Sequence, residues 1–249
     1  MGLLNVESLT AGYTQLPVIE GIGLKAEAGS IVAIVGPNGS GKSTLLKAII
    51  GLLKPMSGRV QADGEDVTGW ASHRIVSRGI GYVPQFNNVF VSLNVVENLE
   101  MGAFSYSGDA RPRVEKVLAS FPDLAAARSK KAGALSGGQR NLLGVARALM
   151  LEPKVILVDE PTAGLAPQNS TRVWEALMKI AEAGTAVVVV EQNVDMALEH
   201  ASWAYVMVAG RNRLNGRADA VRGHDLHAIF LGQEESHTSD GVGRKEVDR

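Results

Sequence analysis

The stretch Gly36–Ser43, GPNGSGKS, fills every fixed position of the pattern G-x-x-x-x-G-K-[ST]. Gly36, Gly39 and Gly41 let the backbone curl so that successive N–H groups point inward at phosphate oxygens, and Pro37, Asn38 and Ser40 complete the loop. Lys42 can reach β- and γ-phosphates, and Ser43 can ligate Mg²⁺. The apolar run IVAIV precedes the loop, and TLLKAII, starting at Thr44, follows it. This is the strand–loop–helix context in which a helix N-terminus adds its positive end to the cradle. A glycine-rich turn without a ligand is the alternative, and the flanks argue against it.

A pair of acids closes a second apolar run, VILVDE. Asp159, at the end of a buried strand, can hold Mg²⁺ through water. Neighbouring strand residues face opposite ways, so Glu160 shares that site only if it lies at or past the strand end. Pro161 supports a chain leaving the sheet there. A carboxylate so placed can polarise an attacking water as general base. An isolated Asp-Glu would be two solvated charges; beside a complete phosphate loop that alternative loses ground. A third run ends in VVVVEQN, residues 187–193, four valines and then three polar groups.

The elements that must position these groups follow from pattern. IVAIV (31–35), VILVD (155–159) and AVVVV (186–190) are wholly apolar, as central parallel strands covered on both faces are. LLNVESLTAGY and IEGIGLKAEAG alternate and predict antiparallel strands, and YVMVAG with RNRLNGR predicts a closing hairpin. Helices are predicted over TLLKAIIGLL, NVVENLEMGAF (Asn94 and Glu97 as a capping box), RPRVEKVLASF, QRNLLGVARALML and STRVWEALMKIAEAG, the last stopping at Gly184. Strand–helix alternation argues an α/β fold with a mainly parallel sheet. Residues from about 86 to 150 lack an apolar strand run and are expected to form a helical insertion. The polar stretch 233–249 is expected to be a disordered tail.

The 249 residues fit one large domain or two small ones, and 45% hydrophobic residues suffice for a sizeable core. A formal net charge of −1 gives no electrostatic case for nucleic acid. The absence of cysteine excludes disulfides and thiolate metal sites. Neither a signal peptide nor an apolar stretch near the ~20 residues of a membrane span is visible, so a soluble, cytoplasmic chain is expected, with any membrane role supplied by a partner. His73, His200, His224, His227 and His237 are scattered. His224 and His227 could share a helix face, but no third ligand is evident and surface histidines are the expectation.

Between the two phosphate-site motifs lies LSGGQ, Leu135–Gln139, heading a helix. GPNGSGKS, LSGGQ and VILVDE in this order resemble the ATPase subunits of ATP-binding-cassette transporters over roughly residues 3–232, and LSGGQ makes that resemblance specific. The resemblance implies a phosphate-loop nucleoside triphosphatase fold with a mainly parallel central sheet, an antiparallel β subdomain and a helical subdomain insertion. It implies one nucleotide-binding domain over 1–232, with ATP and Mg²⁺ as cofactors. Tyr13 would stack on adenine, and Gln85 in GYVPQ would sense both Mg²⁺ and the transporter. Ser136, Gly137, Gly138 and Gln139 would face the ATP of a second subunit in a head-to-tail dimer. Two departures stand out. The family commonly places histidine near the γ-phosphate where this chain has Gln192, which can hydrogen-bond but not titrate near neutral pH. It commonly places aspartate at Ala166.

GLAP after the acid pair, VEQN, VFVSLNVVENLEMGAF and the terminal IFLG together resemble one ATPase subunit of bacterial branched-chain amino acid importers. That group implies two membrane permeases, a second ATPase subunit (the same chain or a different one), a periplasmic binding protein, and a place on the cytoplasmic face of the membrane. Importers of urea and short-chain amides share much of the pattern. A soluble cassette acting in DNA repair or on ribosomes would usually carry two cassettes, a coiled coil or a zinc insertion. A regulator without turnover would not need Glu160.

Overall fold

The computed structural model describes residues 2–232; the tail expected over 233–249 and His237 lie outside them. The strands are β1 (Leu4–Ala11), β2 (Ile19–Ala26), β3 (Ile31–Val35), β4 (Ser57–Ala62), β5 (Glu65–Asp66), β6 (Ile80–Val83), β7 (Val155–Asp159), β8 (Ala186–Glu191), β9 (Trp203–Val208) and β10 (Arg211–Arg217). The helices are α1 (Lys42–Ile49), α2 (Ser72–Ser77), α3 (Val95–Gly102), α4 (Arg111–Ser120), α5 (Pro122–Ala125), α6 (Gly137–Leu149), α7 (Pro167–Glu182), α8 (Val194–His200), α9 (Ala218–Arg222) and α10 (Leu226–Phe230).

They build two sheets. An antiparallel one has the order β2-β1-β4-β5, and a six-stranded one the order β10-β9-β3-β8-β7-β6. In the larger sheet β9, β3, β8, β7 and β6 are parallel, and only β10 runs against its neighbour. The apolar runs behave as expected of doubly covered strands. Ala33, Val35, Ile156, Val158, Val187 and Val189 point into one core with α3, α4, α6 and α7. Val32, Ile34, Val155, Leu157, Val188 and Val190 point into a second core with α1 and the antiparallel sheet. The four consecutive valines are thus two faces of one strand, each buried.

Among the described residues no named strand lies between Val83 and Val155; that stretch holds α3–α6, a 3₁₀ turn at Ala132–Ala134 and one isolated bridge, Asn94 to Lys131. The Asn94–Glu97 capping box forms. The first helix is shorter than TLLKAIIGLL suggests: α1 stops at Ile49, because Gly51 adopts φ +75° against the Trp70 carbonyl. α7 begins earlier, at Pro167, whose fixed φ suits a first turn. Strands β4–β6 and helices α2, α5 and α8–α10 were not drawn from pattern, each being short or, like SGRVQA, exposed at half of its positions.

Asn98 shows how the loop leading into α3 is held. Its side chain is fully buried, accepts from the Phe90 N–H (2.8 Å) and donates to the Phe90, Leu93 and Asn94 carbonyls. Asn98→Ala strands those backbone groups, so a loss of about 1–3 kcal/mol in urea unfolding is expected, with faster hydrogen exchange at the Phe90 amide.

Candidate functional site

Parallel strands deliver their C-terminal ends to one edge, and in open α/β sheets that edge is where ligands sit. Here it collects the phosphate loop after β3, Gln85 after β6, Glu160 after β7 and Gln192 after β8. Gly39 and Gly41 have φ +78° and +97°. A Cβ on Gly36 would stand 2.0 Å from the Met207 carbonyl oxygen, so the curl can be built only from glycine there.

Lys42 opens α1 and is buried. Its Nζ donates to the Gly36 (2.8 Å) and Pro37 (3.1 Å) carbonyls, folding the ammonium back over the loop. Burial lowers its pKa, while Glu160, Asp159 and Glu191 pull it up. Ser40 Oγ is buried in the same loop without a hydrogen-bond partner. An ammonium resting on backbone carbonyls, an orphaned hydroxyl and a helix N-terminus are what a phosphate chain would satisfy.

Ser43 Oγ donates to Asp159 Oδ1 at 2.9 Å. Burial raises the Asp159 pKa against that bond and the nearby lysines. Burial, then the charge of Asp159, raises the Tyr82 pKa, so this phenol stays protonated. A hydroxyl and a carboxylate side by side are the hard oxygen donors Mg²⁺ takes.

Glu160 lies one residue past β7 with φ +46°, a left-handed conformation rare for a residue with a side chain. Its N–H still bonds the Val190 carbonyl (2.9 Å), so the turn is pinned to the neighbouring strand. Gln85 Nε2 donates to Glu160 Oε2 at 2.7 Å. Glu160 borders two cavities. One is lined by Val18 and Asn38–Thr44, the other by Gln85, Phe86, Gly137, Arg140 and Asn141. Gln192 donates from Nε2 to Asn38 Oδ1, joining the end of β8 to the phosphate loop.

Other expected site residues lie apart. Ser136 caps α6, accepting from Gln139 N–H, and the Gln139 side chain accepts from Ser136 N–H in return, so that glutamine is committed to the cap. Gly137 reaches the second cavity, whereas Gly138 and Gln139 line a small crevice beside Asn169 and Arg172. Tyr13 is exposed and is tied to α1 through Lys47, whose Nζ donates to its hydroxyl at 3.3 Å. Ala166 is the N-cap of α7 and offers no side-chain acceptor, where the family's aspartate could. Among the described residues there is no group of three or more metal-ligating side chains, and His224 and His227 are exposed.

Sequence reasoning missed Glu191, Thr162, Asn141 and Tyr82. Glu191 is buried at 2% exposure and accepts from Thr162 N–H (3.1 Å), Thr162 O–H (2.7 Å) and Gln192 N–H (3.2 Å). The two-residue alternation of β8, continued one step, puts it on the face of Val187 and Val189, and that signal could have found it.

A phosphate cradle, a hydroxyl–carboxylate pair and a second carboxylate held by an amide on one sheet edge define a nucleoside triphosphatase of the phosphate-loop class. Residues 19–163 match the ABC transporter family, and the chain belongs to it as an ATPase subunit of a transporter. It is 40% identical over 225 residues to the probable branched-chain amino acid transport ATP-binding protein LivF of Archaeoglobus fulgidus, covering 90% of this chain and 95% of that one. It is 37% identical over 210 residues to the high-affinity branched-chain amino acid transport ATP-binding protein BraG of Pseudomonas aeruginosa, covering 84% and 90%. Among solved structures it resembles a dimeric ATP-binding cassette in a post-hydrolysis state bound to ADP and Pi, with a TM-score of 0.77, 28% identity and coverage of 86% and 98%.

Gly36→Ala tests the close approach behind the loop. The added methyl cannot coexist with the Met207 carbonyl, so a destabilisation of about 1–3 kcal/mol and loss of measurable ATP binding are expected by thermal unfolding and calorimetry.

Proposed function

We propose that this chain hydrolyses ATP to drive uptake of branched-chain amino acids, as a peripheral subunit on the cytoplasmic face of the inner membrane. It would work with two membrane permeases and a second cassette subunit, and indirectly with a periplasmic binding protein. The observation that carries the coupling is the Gln85–Glu160 hydrogen bond. It ties the hydrolytic carboxylate to a loop that exposes Phe86, Phe90 and Val91, an apolar surface suited to a membrane partner's helix. The amino acid class is supported by the two branched-chain relatives. No helix among the described residues is long and apolar enough to cross a membrane, so attachment falls to the permeases.

In this reading the loop 36–44 wraps the phosphates, Lys42 turning from the Gly36 and Pro37 carbonyls to the anion. Tyr13 stacks on the adenine, a contact of the kind worth ~1–3 kcal/mol. Ser43, Asp159 and Gln85 would hold Mg²⁺, which would supply positive charge to neutralise the phosphates. Glu160 orients and polarises the attacking water, and Gln192, held by Asn38, positions the γ-phosphate end. Ser136, Gly137 and Gly138 present the start of α6 to the ATP of the partner subunit, with Gln139 holding that start in shape.

Glu160→Gln keeps the shape and removes the base. Turnover should fall by about 10²-fold or more while ATP affinity stays; undiminished hydrolysis would exclude Glu160 as the base. Purifying the tagged chain from detergent-solubilised native membranes should bring two polytopic permeases and a second cassette by mass spectrometry. A catch of soluble proteins only would remove the importer assignment.

A further inference from the structure

Glu191 is a carboxylate sealed at the end of a strand of valines, and its hydrogen bonds run to Thr162, beside the turn of Glu160, and to the backbone of Gln192. Oε1 takes both the N–H and the hydroxyl of Thr162, two residues after Glu160; Oε2 takes the N–H of Gln192. It does not line the phosphate-loop cavity. Between Glu160 and Thr162, the Pro161 carbonyl accepts from Asn141 Nδ2 at 2.7 Å. The short turn that carries Glu160 is therefore clamped from α6 on one side and from β8 on the other.

Burial alone does not require a carboxylate here. A buried charge without partners is costly, and Val or Thr would continue the strand at lower cost. Three donors converging on two oxygens of one side chain give a rigid link between two backbone segments of different strands. Gln192 in turn reaches Asn38, so the link runs from the turn of Glu160 through Glu191 and Gln192 to the phosphate loop. We infer that Glu191 is a positioning residue: it holds the Glu160–Thr162 turn and Gln192 in a fixed mutual register, so that the water-polarising carboxylate and the residue at the γ-phosphate end act together. This rests on the roles proposed above for Glu160 and Gln192.

Glu191→Gln separates the two halves of the link. An amide has one accepting oxygen and one donating nitrogen, so it can satisfy Thr162 or Gln192 but not both. In the purified full-length chain, steady-state ATPase assays should give a kcat lower by about tenfold or more, the scale on which small misplacements act. KM for ATP should stay within about twofold of the parent, because the phosphate cradle is untouched. Adding Gln192→Ala to Glu191→Gln should lower kcat no further than the more damaging single change, since both break one link. Should Glu191→Gln not accumulate as folded protein, Thr162→Val removes only the hydroxyl donor, and the same selective fall in kcat is expected of it.

An unchanged kcat in Glu191→Gln overturns the inference. So do full additivity with Gln192→Ala, or a kcat loss matched by an equal rise in KM and a drop in Tm, which would mark a merely structural carboxylate. Glu160→Gln is assayed alongside. If that variant loses turnover while Glu191→Gln keeps it, only the positioning role falls; if it retains turnover, the base assignment falls and this inference with it.

Discussion

The constraint on which everything else depends is the shared direction of β3, β8, β7 and β6. A parallel strand cannot return to its neighbour by a tight turn; each needs a crossover, and each crossover begins at the same edge. Four exits on one edge bring together residues as distant in the chain as Asn38 and Gln192. Asp159 is the last residue of its strand, and Gln85, Glu160 and Gln192 are each the first or second residue beyond one. The strands are insoluble rods whose ends carry the chemistry.

That arrangement explains why strain is tolerated where it is. Glu160 sits at φ +46° immediately beyond β7. Such a conformation costs of order 1–3 kcal/mol for a non-glycine residue and persists only where neighbours over-determine it. Its own N–H bonds Val190, the Pro161 carbonyl is held by Asn141, and Thr162 is held by Glu191. Asn141 also accepts from Asn88 in the loop after β6. A Cβ at Gly144 would stand about 3 Å from the Asn88 side chain, so α6 must be bare at that point for the loop to lie against it. The three residues after β7 thus receive contacts from β8, from α6 and, through Asn141, from the loop that exposes Phe86 and Phe90.

What could be read from the residues followed from whether the signal was local. The loop at 36–43, the acid pair, the apolar strands and the Asn94 cap are each written in a handful of adjacent residues, and the structure contains all of them. β4 and β6 were not legible, because SGRVQA is exposed at half of its positions and IGYV is too short to show a period. Thr162, Asn141 and Tyr82 acquire meaning only from what folds against them. Glu191 is the instructive case. Its identity is plain and the alternation of β8 places it on a buried face, but what it bonds there follows only from where Thr162 folds. The placement of Ser136 and Gly138 away from the phosphate loop was likewise beyond pattern alone, since sequence order sets no distance between α6 and β3.

The charge balance of the edge separates binding from chemistry. Asp159, Glu160 and Glu191 all act on the buried Lys42, in a chain of net charge −1. Three carboxylates beside a cradle for a polyanion would repel it if they were all free. Two are not: Asp159 is engaged by Ser43, and Glu191 by Thr162 and Gln192. Their charge is spread into hydrogen bonds from their own neighbours, leaving Lys42 and the N-terminus of α1 as the field a phosphate meets at the loop. Glu160 is held on one oxygen by Gln85. Gln85 is an amide that joins this carboxylate to the loop after β6, on which Phe86 and Phe90 are exposed. A site organised this way offers a phosphate the backbone N–H groups and lysine of one loop, while the remaining carboxylate is held by a separate contact, that of Gln85.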